Sequence, residues 1–128
     1  MAERRMLSKR IISSTKFLKM PIDSQNLYFH LNINADDDGI VEAYQVMKSI
    51  GCTEDNLRVL AAKEYVKILN EDLVSYIMDW SEHNQLRADR KVNSIHQTLL
   101  LQILPGVKLL EPKDRADKKK HGYGNKDK

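Results

Sequence analysis

The sequence predicts a mainly α-helical domain with a small β-hairpin, followed by a C-terminal helix and a disordered basic tail. Three apolar patterns with helical spacing lie between residues 24 and 62, each with its own start or stop signals. Two β-rich runs follow, Val66–Leu69 and Leu73–Trp80, with three polar residues between them. At 128 residues the chain has the length of one domain with one core.

Residues 1–20 form the predicted basic N-terminal arm. The arm holds six Lys or Arg residues against one acid, which gives a net charge of +5. Within it, Met6–Ile12 is typical of an extended segment that adds to the edge of a sheet. Ser13 and Ser14 then favour a short helical turn that ends near Leu18. We therefore expect a flexible arm that attracts polyanions.

The first firm helix is predicted over Ser24–Ala35. Asp23 is the predicted N-cap, because its carboxylate can accept a bond from an amide of the first turn. Ile22 and Leu27 lie on either side of this start, at the spacing of a hydrophobic staple. The acidic run Asp36–Gly39 is predicted to end the helix in a turn.

A short strand and two further helices are predicted next. Gly39–Val41 has the character of a strand, and the second helix is expected over Glu42–Ile50 with Gly51 as its stop. Thr53 is a good N-cap for the third helix, with Asn56 at the third helical position. The order of helix, strand, two helices and hairpin over residues 21–92 is that of a winged helix-turn-helix, whose third helix enters the major groove of DNA.

The fourth predicted helix, within residues 93–110, is capped by Asn93 and ends before Pro105. Its apolar side chains are more numerous than a single buried stripe requires. They either pack back on the domain or form a surface for self-association as a homodimer. Residues 111–128 are almost free of apolar side chains and are predicted to be disordered. The apolar positions of this helix are Ile95, Leu99, Leu100, Ile103 and Leu104.

Charge and composition exclude several classes of function. Residues 21–82 carry a net charge of −8 and residues 83–128 a net charge of +6, so two basic ends flank an acidic middle. The single cysteine, Cys52, rules out an internal disulfide and is typical of a reducing compartment. The longest apolar run is too short for a membrane span. The histidines lack metal-ligand spacing and no nucleophile or phosphate-loop motif is present, so we expect a cytosolic protein without cofactor, metal or catalytic activity.

Several stretches resemble one protein family. They are RRMLSKRIISSTKFLKMP, LYFHLNINADDDG, DWSEHN, LRADRKVNSI and LLEPKDRAD, and together they extend over roughly residues 3–117. These stretches are similar to the N-terminal domain of phage and prophage replisome organisers, also called phage replication initiation proteins, which often accompany a DnaD-like domain. The resemblance implies a winged-helix fold, origin-like duplex DNA as ligand, and host or phage replication proteins as partners in helicase loading in the bacterial cytoplasm.

The predicted DNA contacts are cationic residues of the arm, the third helix and the segment after the hairpin, because Lys and Arg bind phosphates and Arg can read guanine. Two alternatives remain open at the third helix, where Thr53 can act as a cap and Arg58 can pair with Glu54 or Asp55. The predicted site consists of Arg4, Arg5, Lys9, Arg10, Thr53, Arg58, Lys63, Arg87, Arg90 and Lys91.

A second function is also consistent with the sequence. Acids occupy the start of the third helix, Glu54 and Asp55, and the turn of the hairpin, Glu71 and Asp72. Negative side chains at these two places would repel the phosphates that most protein–DNA contacts address. The alternative is therefore a small phage adaptor or inhibitor that binds a host protein through this acidic surface.

Overall fold

The structure, a computed structural model, describes residues 4–84 and 88–112. The basic tail predicted to be disordered lies outside this range, except for its first two residues. The elements, in chain order, are α1 (Lys9–Ile12), α2 (Thr15–Leu18), α3 (Ile22–Asn34), β1 (Ile40–Glu42), α4 (Ala43–Ile50), α5 (Glu54–Ala62), β2 (Val66–Ile68), β3 (Val74–Ile77), α6 (Trp80–His83) and α7 (Gln97–Ile103).

The three strands form one antiparallel sheet in the order β1-β3-β2. β1 pairs with β3 through Ile40 opposite Tyr76, and β2 pairs with β3 through Val66 opposite Ile77. All four residues of the central strand are buried. β1 lies between α3 and α4 in the chain and joins the hairpin of β2 and β3 in one sheet. This is a winged-helix-like arrangement. The predicted fold class is therefore confirmed.

Local capping signals explain where several elements begin and end. The amide of Phe17 donates to Ser14 Oγ at 3.1 Å and caps α2. α4 ends at Gly51, whose φ of 75° lies in the left-handed region that glycine adopts without strain. At the start of α5, the Thr53 amide donates to Asn56 Oδ1 at 2.9 Å. These three sequence predictions are confirmed.

An aromatic cluster joins α2 to the core. The ring of Phe17 lies 5.4 Å from that of Tyr28 in α3 and 5.5 Å from that of Tyr65, just after α5, with edge-on geometry in both pairs. Edge-to-face aromatic pairs at this separation stabilise a core beyond their buried area. Phe17 and Tyr28 are fully buried. The second half of the N-terminal arm is thus part of the folded domain.

Three predictions about the N-terminal third were wrong: the N-cap at Asp23, the hydrophobic staple and the strand of the arm. α3 begins at Ile22, with Pro21 at the N-cap, because proline fixes a φ that suits the start of a helix. Ile22 is 80% exposed while Leu27 is fully buried, so the two side chains form no hydrophobic staple. The arm contributes no strand either: its residues 9–12 form α1, with Ile11 buried against the core.

The second strand of the hairpin and the last helix are shorter than predicted. β3 ends at Ile77, and Trp80 begins α6, because the indole packs on Gly39 and donates to the carbonyl of Asp37 at 3.1 Å. α7 begins at Gln97, not at Ser94, whose amide donates to a carboxylate outside the helix. None of the helices in the described residues has the length and apolarity needed to span a bilayer.

Candidate nucleic-acid interface

The acidic run Asp36–Gly39 is a buried anchoring point. Asp37 and Asp38 are only 4% and 2% exposed. Asp37 Oδ1 accepts a bond from Arg5 Nη2 at 3.0 Å, and Asp37 Oδ2 accepts one from the amide of Val92 at 2.9 Å. Buried carboxylates require such partners, because an isolated charge in the interior is costly. The turn therefore joins the N-terminal arm to the segment that follows the hairpin.

Lys91 does not reach solvent and cannot contact DNA. Its Nζ lies 2.6 Å from Asp38 Oδ1, and the two side chains are 0% and 1% exposed. Asp38 Oδ2 also accepts bonds from the Ser94 amide at 2.8 Å and from Gln97 Nε2 at 3.2 Å. The predicted DNA contact at Lys91 is wrong, because Asp38 holds this ammonium group in the interior.

Arg5 is likewise buried, which corrects its assignment to a flexible DNA-binding arm. Only 3% of its side chain is exposed. Besides the ion pair with Asp37, Nη2 donates to the carbonyl oxygen of Ala35 at 2.8 Å. The guanidinium also lies over the indole of Trp80, 5.1 Å from the ring centroid. With these contacts made inside the domain, Arg5 fixes the arm in place.

A second set of bonds fixes the arm one and three residues after Arg5. The amide of Ser8 donates to His83 Nδ1 at 2.7 Å, and that of Met6 donates to Asn84 Oδ1 at 2.9 Å. Because an amide can only donate, His83 Nδ1 must be unprotonated and the neutral ring carries its proton on Nε2. His83 Nε2 lies 2.5 Å from the hydroxyl oxygen of Tyr28. The arm is thereby attached to α6 and, through it, to the core.

Burial lowers the pKa of His83 below its ordinary value of 6.5, although the nearby carboxylates of Asp79 and Glu82 act in the opposite direction. A lowered pKa in the folded state means that the unfolded chain binds the proton more readily. The contribution of His83 to stability is therefore complete above about pH 6.5 and is lost as the pH falls further.

We expect the free energy of unfolding to fall as the pH drops below about 6.5, by up to about 1.4 kcal/mol per pH unit for this one proton. Urea unfolding at several pH values measures it, with His83→Gln as the variant that cannot take up the proton. Burial raises the pKa of Asp36, so proton uptake by Asp36 stabilises the folded state as the pH falls, and the wild-type curve alone is not sufficient. The same pH dependence in both proteins would refute the role of His83.

Two of the exposed arginines of the predicted site, Arg58 and Arg10, are paired with acids. Arg58 of α5 forms an ion pair with Glu54, one helical turn earlier, as the alternative interpretation expected. Arg10 of α1 lies 3.0 Å from Glu82, with 70% and 50% of the two side chains exposed. Such exposed pairs contribute at most about 1 kcal/mol and exchange readily with a phosphate. Both arginines therefore remain available to a polyanion.

The side of the domain next to the hairpin turn is acidic. A groove of about 540 Å³ lies between the start of α4, the start of α5 and this turn. Four carboxylate side chains line it, and Tyr44, which is half exposed, lies among them. A duplex would meet repulsion at this groove. The four residues are Glu42, Glu54, Glu71 and Asp72.

The opposite end of α5 is basic. Lys16 Nζ lies 4.9 Å from the centroid of the Tyr65 ring, so α2 is held beside the end of α5. Lys63 and Lys67 lie two residues before and two residues after Tyr65, and both are exposed. Lys19 follows Lys16 at the end of α2, and Glu64 is the exposed acid among these lysines. We call Lys16, Lys19, Lys63 and Lys67 the lysine face.

Sequence reasoning found only Lys63 of this face. The Phe17–Tyr65 contact brings α2 and Lys16 to the end of α5, and no local motif marks a contact between residues so far apart in the chain. Of the remaining predicted contacts, Arg4, Lys9 and Arg90 are exposed, and Thr53 caps α5. Arg87 lies outside the described residues.

The surplus apolar side chains of the last helix divide into two groups. Leu100 is fully buried and cannot belong to a free surface, while Leu99 and Leu104 are partly buried and pack against the core. The burial of Leu100 corrects its assignment to the predicted self-association surface, because α7 uses this side to cover the domain. Ile95 and Ile103 remain 87% and 41% exposed.

No protein-family model, no curated protein and no solved structure matches the chain. The resemblance to replisome organisers therefore stays a prediction. Within residues 4–84 and 88–112, no group of three or more His, Cys, Asp or Glu side chains is placed to hold a metal ion. What the geometry offers is a basic face and an acidic groove at opposite ends of α5.

Proposed function

We propose that this protein binds duplex DNA through the lysine face and acts, like the replisome organisers it resembles, in the initiation or regulation of phage or prophage replication. The observation that carries the proposal is the position of Lys16 over Tyr65, which brings the lysines of α2 beside those that flank the end of α5. Phosphate contacts supply most of the affinity in protein–DNA binding, and clustered lysines provide them. The winged-helix-like arrangement supports the same function.

Charge determines how the duplex approaches. The acidic groove repels phosphates at the start of α5. The DNA backbone therefore runs past the other end of this helix, across Lys63 and toward α2. Arg58 lies between the two ends and exchanges Glu54 for the DNA, where it can read guanine through a bidentate contact. Arg4 and Lys9, held by the anchored arm, extend the contact with the backbone.

Replacing two residues of the lysine face should weaken DNA binding for all sequences alike. For Lys16→Ala/Lys63→Ala we expect the slope of log affinity against log salt to become shallower by roughly 2, because each lost phosphate contact removes about 0.9. Titration of a labelled duplex at several salt concentrations measures both the affinity and its slope.

The matched control is Lys48→Ala/Lys108→Ala, which removes two exposed lysines outside the lysine face. We expect its slope to remain close to that of the wild type. An equal loss of slope in the control would show that net charge, not the lysine face, attracts the duplex. A wild-type slope near zero would remove the proposal altogether, since binding through several phosphates always depends on salt.

The acidic groove favours a second candidate function, the binding of a host protein by a small adaptor or inhibitor. Four carboxylates around one groove are suited to a basic protein surface. A pull-down from nuclease-treated lysate distinguishes the two functions when it is combined with the salt titration. Two results together would favour this candidate. The wild type would bind no DNA, and it would retain a protein partner after nuclease treatment that the Glu71→Lys/Asp72→Lys variant does not bind.

A further inference from the structure

A second groove, of about 570 Å³, lies next to the acidic groove and shares Glu42, Gln45 and His96 with it. It runs between β1, α4 and the segment that leads to α7. Ile40, Val41 and Val46 form apolar parts of its wall, and Val92 and Ile95 line the edge toward the chain that precedes α7. The groove is therefore a recess in which apolar side chains alternate with polar ones.

The edge of this groove projects into solvent. Ile95 is 87% exposed and Val92 is 53% exposed. Bonds on both sides hold Ile95 outward: the Ser94 amide is fixed to Asp38 at 2.8 Å, and the His96 amide donates to Ser94 Oγ at 2.9 Å. Because the backbone holds the Ile95 side chain in water, a partner that buries this side chain gains binding free energy.

The charges around the groove are complementary to each other. Asp36 and Glu42 lie in its lining, and Glu42 Oε2 approaches His96 Nε2 at 3.4 Å. Arg90 is exposed two residues before Val92, on the chain that leads to the projecting edge. An edge that carries Arg90 is therefore suited to a groove that carries carboxylates.

We propose that a second copy of this chain occupies the groove, with Ile95 of each subunit inserted into the groove of the other. A two-fold dimer uses the same patch on both subunits, so the patch must contain both a projection and a recess. Here the two are adjacent, because Ile95 lines the edge of the same groove. Arg90 of one subunit then meets Glu42 of its partner.

The inference does not depend on DNA binding, but the two fit together. Two linked copies present two lysine faces to one duplex, which raises the overall affinity without a new contact in either copy. Loss of the dimer should therefore lower DNA affinity while the salt slope per subunit is kept.

Sedimentation velocity of the full chain over a wide concentration range, without DNA, tests the proposal. We expect the wild type to change from monomer to dimer as the concentration rises. Ile95→Asp should raise the dimer dissociation constant by at least about a hundredfold, because each dimer loses two buried isoleucines and gains two carboxylates in apolar recesses. Ile95 is almost fully exposed in the monomer, so the variant is expected to fold.

Ile22→Asp is the matched control, since Ile22 is 80% exposed and does not line the groove. It should dimerise like the wild type. A wild type that stays monomeric at all concentrations would overturn the proposal and leave the groove to a different protein. A dimer that Ile95→Asp leaves intact would overturn it as well, as would equal loss in the control.

Discussion

Asp38→Asn should lower the free energy of unfolding by about 3–5 kcal/mol, the cost of breaking a buried ion pair on one side. The amide has nearly the shape of the carboxylate, so the change removes the charge with little change in packing. Lys91 would then keep a positive charge at a site where its side chain is 0% exposed. Urea unfolding at neutral pH measures the difference from the wild type.

Glu54→Gln is the control for this prediction, because it breaks an exposed ion pair, the one with Arg58. Its expected cost is at most about 1 kcal/mol. A further variant, Asp38→Asn/Lys91→Met, removes the stranded charge and should recover much of the lost stability. If Asp38→Asn costs no more than the control, the interior does not depend on this pair.

The loop that contains Asp38 has a structural role where the sequence alone predicted only a helix-ending turn. Asp37 accepts bonds from the N-terminal arm and, at its main-chain carbonyl, from the indole of Trp80, and Asp38 accepts one from the chain before α7. The run ADDDG, together with the YFHLN that precedes it, is also the specific part of the resemblance to replisome organisers. In this chain it holds the N-terminal arm and the C-terminal segment on the domain.

Local signals allowed much of the fold to be predicted. The stop at Gly51 and the start at Thr53 depend on residues close together in the sequence, and both were placed correctly. The hairpin and the short strand β1 were also found from composition and turn residues. Such elements are predictable because their hydrogen bonds and backbone preferences are decided within a few residues.

The candidate site was harder to predict, because the burial of a charge depends on distant partners. Arg5 and Lys91 look like surface cations in the sequence, yet each is buried beside an acid of the Asp36–Gly39 turn. No sequence pattern distinguished Lys16 from other lysines, but the contact of Phe17 with Tyr65 places Lys16 over the Tyr65 ring. Charge counts along the chain predicted a basic flank and could not separate cations that anchor it from cations that face solvent.

Gly39→Ala should be the other strongly destabilising substitution. Gly39 has a φ of 80°, and a Cβ added there would lie 2.5 Å from Trp80 Cγ and 2.8 Å from Trp80 Cβ. The left-handed backbone costs a residue with a side chain about 1–2 kcal/mol, and overpacking adds about 1–3 kcal/mol. We therefore expect a loss of about 2–5 kcal/mol in urea unfolding, with a change in tryptophan fluorescence as the indole moves.

Gly51→Ala separates the two causes. Gly51 has nearly the same φ, 75°, but an added Cβ would meet no atom within 4 Å. This variant should lose only the backbone part, about 1–2 kcal/mol, and its tryptophan fluorescence should stay unchanged. Equal losses at the two positions would mean that Trp80 shifts freely. The indole could not then be the rigid support on which Arg5 and the N-terminal arm are held.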